Sequence, residues 1–274
     1  MEKWRFLNSG KCSAEKNMAI DETIMVGVQK GISPPTIRVY DWQPPTISLG
    51  YHQQIEQEID IEKTRQMGFA IVRRPTGGRA VLHYDELTYA VIGRIDGILA
   101  GSTLQAYQTI SKALIRGLSY AGIDLSLEKK ELSLHKHHEK KNPCFSSSAK
   151  YELIYKSCSE NSKWKKVVGS AQFRKNGVLL QHGSILLNHN QELLAELMYG
   201  LSEKKREFLK KLLAQNTISI NQILTRKISF SLLAEKIFQG FKQEWDIDLI
   251  KEADLNNEER KIYPHIFYKY KNKE

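Results

Sequence analysis

With 274 residues, 41% of them hydrophobic and 26% charged, the chain can bury a sizeable core in one large domain, alone or with a small appendage. No stretch approaches the ~18 apolar residues needed to cross a membrane, and the start, MEKWRFLNSGKCSAEKN, lacks the apolar centre of a signal peptide, so a cytoplasmic protein is expected. The net charge of +10 favours an anionic partner, yet the basic residues are scattered without an arrayed aromatic-and-basic strand, which argues against nucleic acid.

Residues 14–29 read as a helix with Ala14, Met18, Met25 and Val28 near one face. Asp21 falls on or beside that stripe, where it can bind backbone groups of a nearby loop or sit at the edge in water. Short strands follow at 36–40, 46–50, 69–73 and 87–93, punctuated by Pro44-Pro45 and Gly77-Gly78. Ser102 and Gln105 have the spacing of a capping box. They open a helix with Leu104, Tyr107, Leu114, Leu118 and Ala121 inward, ended by Gly122.

Residues 126–142 carry alternating charges and little apolar content after Leu134, and most of this stretch reads as a mobile loop. Its histidines, His135, His137 and His138, have no carboxylate or cysteine to complete a convincing metal set, so no metal is expected. Strands resume at 151–156, 166–173 and 178–187, with the stretch SCSENSKWK as a hairpin tip. Helices are expected at 190–200, 203–214 and 229–245. There is no internal repeat. This irregular order predicts an α+β fold, a sheet with helices on its outer face, and not a regular parallel βαβ array.

Three segments can carry chemistry. In 71-IVRRPTGGRAVLHYDELTYAVIG-93, Gly77 and Gly78 permit positive φ and close backbone approach to a ligand. Their amides can serve an anion or oxyanion, and of Arg73 and Arg74 at the strand end at least one should face the ligand side. The same residues are equally compatible with a plain glycine turn flanked by solvated arginines. No Gly-Lys-Ser/Thr closes a Walker loop, and no helix follows as a dinucleotide fingerprint requires.

The cysteines, Cys12, Cys144 and Cys158, are odd in number and lack CxxC spacing, which argues against a disulfide framework or structural zinc. Cys144 stands in 142-NPCFSSSAKYELIY-155, after the basic loop and before a strand, where a thiol can sit at the rim of a site. In 166-KVVGSAQFRKNGVLLQHGSILL-187, Lys166 precedes Val167 and Val168. An amine held against apolar surface can accept a proton; an exposed hairpin lysine beside Lys163 and Lys165 is the plainer reading. Gly169, Ser170 and Ala171 leave room for something to lie across the strand.

Taken in order and spacing, RRPTGGRAVLH…ELTY, PCF…YEL and KVVGSAQ…GVLLQHGSILL resemble the lipoate/octanoate protein transferases, which share a fold with lipoate–protein ligases and biotin ligases. The resemblance runs from about residue 4 to about 190 and continues weakly beyond. It implies a biotin/lipoate ligase-like catalytic domain of mixed sheets flanked by helices over residues 1–250, with residues 251–274 as a partly helical C-terminal tail. Cys144 matches the nucleophile position of the cysteine-loop octanoyltransferases of Gram-positive-type bacteria, and Lys166 matches their partner lysine. The Cys144 loop departs from the pattern in its Lys- and His-rich composition and its length.

The resemblance further implies that octanoate arrives on acyl-carrier protein, forms a thioester on Cys144, and passes to a lysine of a lipoyl domain or a glycine-cleavage H-type protein. Gly169, Ser170, Ala171, Gly77 and Gly78 would shape an apolar slot, and Arg74 and His83 would line or brace its mouth. No cofactor is required, and a monomer is expected. Both protein partners are typically acidic, which gives the +10 charge a use. The rival readings are an ATP-dependent lipoate–protein ligase, in which RRPTGG cradles an acyl-adenylate phosphate, and an amidotransferase that moves octanoate between protein lysines.

Overall fold

The strands predicted at 36–40 and 87–93 form, in a computed structural model describing residues 1–129, 151–156, 164–188 and 190–271, the centre of a large sheet. The strands of the described residues are β1 (Lys3–Cys12), β2 (Thr36–Trp42), β3 (Thr46–Leu49), β4 (Ala70–Arg73), β5 (Val81–His83), β6 (Glu86–Arg94), β7 (Ser126–Lys129), β8 (Tyr151–Tyr155), β9 (Lys165–Lys175), β10 (Val178–Leu186) and β11 (Asp248–Glu252), of which β3 to β5 form a second, smaller sheet. The helices are α1 (Ala14–Lys30), α2 (Ile55–Glu58), α3 (Ile61–Gln66), α4 (Thr103–Ser119), α5 (Leu193–Leu197), α6 (Glu203–Asn216), α7 (Ile220–Leu224), α8 (Phe230–Trp245) and α9 (Asn257–Lys271).

The large sheet runs β11-β1-β2-β6-β10-β9-β8-β7, parallel at its β11-β1-β2 end and antiparallel from β2 onward. The small sheet runs β4-β3-β5, parallel then antiparallel. Side chains alternate across a strand, and both faces of the large sheet are covered. Trp4, Phe6, Ile37, Val39, Tyr89 and Val91 pack under α4 and α8, and Leu7, Tyr40, Trp42, Ala90 and Ile92 pack under α1 and α9. The mixed sheets flanked by helices are present as expected, with helices on both faces of the large sheet. A central strand with apolar residues at consecutive positions has no solvent side, so it needs a cover on each face.

Several elements differ from the sequence reading. β1 is hidden in a charged-looking stretch because Arg5 is buried with Trp4, Phe6 and Leu7: its guanidinium makes paired bonds of 2.7 and 2.5 Å to Glu259 on α9. Residue 250 falls inside β11, which pairs with β1, and α9 packs on α1, so residues 251–271 contribute the end of a sheet strand and a whole helix. Residues 126–129, read as the start of a loop, pair with β8. The helix expected over 190–200 shortens to α5. The capping box on α4 is present as read, and Gly122 adopts φ 85° after it. The rest of the 126–142 stretch, with its three histidines, lies outside the described residues, as do Cys144, Cys158 and residues 157–163 of the expected hairpin tip. Among the described residues no helix is long and apolar enough to cross a membrane, and none of the His, Cys, Asp and Glu side chains cluster as a metal site.

Candidate active site

The two sheets meet along one set of register rows. Tyr40 on β2 lies opposite Thr88 on β6, Thr88 opposite Ser184 on β10, and Ser184 opposite Gly169 on β9. One step along, Arg38, Ala90, His182 and Ala171 form the neighbouring row on the same face. Over these rows α1 lays Met18, and the small sheet brings Ser48, Val81 and His83. Together with Arg74, Trp42, Ser170 and Gly183 they enclose a narrow cavity of about 380 Å³ counting the space at its mouth, and most of the surface turned into it is carbon. Its narrowness excludes bulky groups, and its carbon lining favours apolar ones.

Small residues on β9 and β10 are required, not incidental. On the far face Gly183 lies opposite both Tyr89 and Ser170, whose hydroxyls are bonded to each other at 2.8 Å. A Cβ on Gly183 would come within 2.7 Å of the Tyr89 ring and 2.9 Å of Ser170 Oγ, and would collide with the Gly169 carbonyl. Ser170 therefore contributes backbone to the cavity and spends its hydroxyl on the other side.

Most polar atoms around the cavity join one continuous network centred on Arg74, which is 4% exposed; Glu86 Oε2, at the end of one arm, is buried without a hydrogen-bond partner among the described residues. Arg74 Nη1 donates to the carbonyl of Ser48 at 2.8 Å and to its hydroxyl at 3.0 Å, Nε donates to Thr76 Oγ1 at 3.1 Å, and Nη2 donates to the carbonyls of Gly77 at 2.9 Å and Arg79 at 2.7 Å. All five N–H groups of the fork are thus engaged.

From this guanidinium two matching arms run outward. In the first, Ser48 Oγ bonds His83 Nε2 at 2.7 Å, and His83 Nδ1 bonds Glu86 Oε1 at 2.8 Å. In the second, Thr76 Oγ1 bonds His182 Nε2 at 2.7 Å, and His182 Nδ1 lies 3.5 Å from Asp21 Oδ2. The donor logic is the same in both. A carboxylate only accepts, so each imidazole carries its proton on Nδ1. Each Nε2 then accepts from a hydroxyl, which in turn accepts from Arg74.

The outer ends are braced as well. Glu86 Oε1 also accepts from Ser184 Oγ at 3.0 Å and from Thr88 Oγ1, which receives Trp42 Nε1–H at 2.7 Å. Trp42 stacks on His83 with ring centres 4.3 Å apart. Asp21 takes 2.7 Å from Arg38 Nη1 and 2.9 Å from the Tyr40 hydroxyl. Asp21, expected to meet backbone groups or water, is instead fully buried among side chains. Its partners lie far along the chain, so the helix stripe alone cannot name them.

Burial by itself would raise the Asp21 pKa, but Arg38 and His182 outweigh it and hold the group below its ordinary 3.8. Burial holds His182 below its ordinary 6.5, Arg74 and His83 pushing the same way against the pull of Asp21. In both cases the unfolded chain binds protons that the folded chain refuses, so both shifts make stability fall on acidification. The His182 contribution is lost as pH drops below about 6.5 toward its folded pKa, and the Asp21 contribution is lost below about 3.8. Urea unfolding of the wild type should therefore weaken between pH 7 and 5, at no more than about 1.4 kcal/mol per pH unit from this one group. His182→Gln should flatten that slope; an unchanged slope would place its origin elsewhere.

Of the residues singled out in the sequence, the cavity unites Arg74, His83, Gly169, Ser170 and Ala171. Gly77 and Gly78 are not among its lining residues. They support it from behind: Gly77 gives its carbonyl to Arg74, and Gly78, at φ +96°, leaves no room for a Cβ beside Arg74 Nη2. Lys166 is buried near the start of β9, opposite Ile154, with its carbonyl accepting from Ile218 N at 3.1 Å. It lies on the strand that lines the cavity but three residues before Gly169, roughly 10 Å of strand. Ser48, Thr76, His182, Glu86, Tyr40, Trp42 and Arg38 escaped the sequence reading. The available signal was polar residues inside apolar strands, as in LLQHGSIL, since such groups stay buried only when partnered.

The fold and site define a domain with a narrow, mostly apolar cavity against a wall of strands, braced by a buried polar network. The match to known proteins gives that domain its class. The model of the lipoyl protein ligase A/B catalytic domain matches residues 13–242, and the chain belongs to that family. Among curated relatives it is 38% identical to the octanoyltransferase LipM of Anoxybacillus flavithermus, covering 94% of this chain and 91% of that one. It is 37% identical to the octanoyltransferase LipM of Clostridioides difficile, covering 100% and 98%. Among solved structures, the bipartite lipoate protein ligase of Thermoplasma acidophilum superposes with a TM-score of 0.79 at 20% identity, covering 98% of this chain and 93% of that one. At that identity the likeness shows the fold: the biotin/lipoate ligase-like architecture.

Proposed function

We propose that this protein is an octanoyltransferase of lipoyl cofactor assembly. It acts as a cytoplasmic monomer without a cofactor and takes octanoate from acyl-carrier protein through Cys144 to a lysine of a lipoyl domain or H-type protein. The observation that carries the reading is the narrow, carbon-faced cavity over Gly169, Ser170 and Ala171. Burying about six methylenes of an octanoyl chain there contributes about 5 kcal/mol. The curated relatives named octanoyltransferase LipM support the same group as cargo.

In the first half-reaction the Cys144 thiolate attacks the carbonyl carbon of the incoming thioester. The new C–S bond forms, the carrier's C–S bond breaks, and the proton taken from Cys144 by Lys166 passes to the departing thiolate, which leaves as the carrier thiol. In the second, the ε-amine of the acceptor lysine attacks the Cys144 thioester. The amide forms, Cys144 leaves as thiolate, and Lys166 receives the amine's proton. No oxidant, nucleotide or metal enters either balance.

Chain geometry is compatible with these roles. β8 runs antiparallel to β9 with Leu153 opposite Val168 and Ile154 opposite Lys166, so its beginning, Tyr151, lies toward the Ser170 end. Cys144 stands seven residues before Tyr151, within a reach of about 25 Å. The ligase reading asks RRPTGG for an adenylate phosphate site. Arg74 is a poor candidate for that grip, because its five N–H groups already serve protein acceptors. Arg73 Nη1 likewise sits on the carbonyls of Gly50, Tyr51 and Gln53.

The test is intact mass after mixing with octanoyl-carrier protein in the absence of ATP, followed by addition of a lipoyl domain. The expected result is one octanoyl group on the protein, then its appearance on the domain. A strict requirement for ATP would identify a ligase. Acceptance of octanoyl-lysine from an H-type protein, with no reaction toward the carrier, would identify an amidotransferase.

A further inference from the structure

The cavity has a direction. Ser170, Ala171 and Gly183 on the sheet side are half-buried, whereas Tyr40 and Met18 are fully buried and Trp42 is 4% exposed. The mouth is therefore at β9–β10, and the closed end lies under α1 against β2. A chain that enters with its carboxyl end at the mouth meets those three large side chains with its terminal methyl.

The three are not equally fixed. Tyr40 is tied through its hydroxyl to Asp21 and lies under the Arg38 guanidinium, 3.9 Å from the ring centre. Trp42 is tied through Nε1 to Thr88 and stacked on His83. Met18 is unbranched, with a thioether that is at most a weak acceptor, and it is held by packing alone. Neighbouring Asn17 anchors α1 at this level: its side chain donates to the carbonyls of Cys12 and Asp41 and accepts from Arg38. The backbone carrying Met18 is thus fixed while the Met18 side chain alone sets how far the closed end reaches.

We propose that Met18 is the chain-length determinant of this site, its side chain filling the space that a longer acyl chain would need. The inference rests on the acyl-transfer reading above. Met18→Ala removes three heavy atoms from the closed end, room for about two further methylenes, and Met18→Phe fills the space that the last carbons of octanoate occupy. One methylene in an apolar pocket is worth roughly 10- to 200-fold in discrimination.

The experiment loads wild type and variants with an equimolar mixture of hexanoyl-, octanoyl- and decanoyl-carrier protein and reads the ratio of adducts by intact mass. Thermal melting in parallel shows that each variant is folded. The expected result is a rise of tenfold or more in decanoyl over octanoyl for Met18→Ala and in hexanoyl over octanoyl for Met18→Phe, with Met18→Leu close to wild type. Met18→Val, a milder truncation, reads the same ratio if Met18→Ala does not fold. Ratios within twofold of wild type in the folded variants overturn the assignment. Wild type that loads none of the three chains overturns instead the reading on which it rests, so the two failures are distinguishable.

Discussion

Replacing Arg74 by methionine should lower the unfolding free energy by about 3–5 kcal/mol, the range for removing one partner from a buried charged network. The expectation follows from what the guanidinium holds. Without it the carbonyls of Ser48, Gly77 and Arg79 lose their donor, and the hydroxyls of Ser48 and Thr76 lose the bond that orients them toward His83 and His182. The carboxylates at the ends of the two arms, Glu86 and Asp21, stay buried with one positive charge fewer nearby. Methionine occupies similar volume, so a cavity term adds little. Arg74→Lys keeps the charge but offers three donors from a single point in place of a planar fork, and should recover only part of the loss. Urea unfolding followed by tryptophan fluorescence reads both variants. A cost below about 1 kcal/mol for Arg74→Met would mean that the network's bonds are readily replaced by water.

This network also marks where the sequence stops being legible. α1, α4 and the central strands announce themselves through local sequence: Ala14, Met18, Met25 and Val28 on one helix face, the Ser102–Gln105 box, the apolar run around Tyr89. The glycine pair and the small residues of β9 were readable for the same reason, since conformational freedom and small volume are properties of single residues. What could not be read depends on partners distant in the chain. Arg5 looks like an exposed charge until Glu259 on α9 is seen to take it. His182 looks like an isolated polar residue in an apolar strand until Thr76 and Asp21 are placed on either side of its ring. Arg74 and His83 were legible as residues of the site, but not as members of one arm. Arg74 proved to be a brace for the turn, with no N–H left over for an anionic ligand.

The covalent step sets the other large expectation. Cys144→Ala should abolish the octanoyl adduct and reduce transfer by at least about 10³-fold, a loss of about 4 kcal/mol of transition-state stabilisation. Cys12→Ser and Cys158→Ser should leave it unchanged; Cys12 is buried with its sulfur 3.5 Å from the Ser9 carbonyl oxygen, a packing position. Lys166→Met should slow loading about 10²- to 10⁴-fold, as expected for a proton carrier, without shifting the melting temperature as far as Arg74→Met does. If thiol and amine act as a unit, their effects cannot add: Cys144→Ala with Lys166→Met should be no slower than Cys144→Ala alone. A single-turnover measurement with octanoyl-carrier protein decides the matter. Loading by Lys166→Met within threefold of wild type would remove the amine from the relay. A full adduct on Cys144→Ala would move the nucleophile elsewhere in the chain. In the relay proposed above, the loaded thiol brings its acyl carbonyl to β9, the strand that carries Lys166, Gly169 and Ala171.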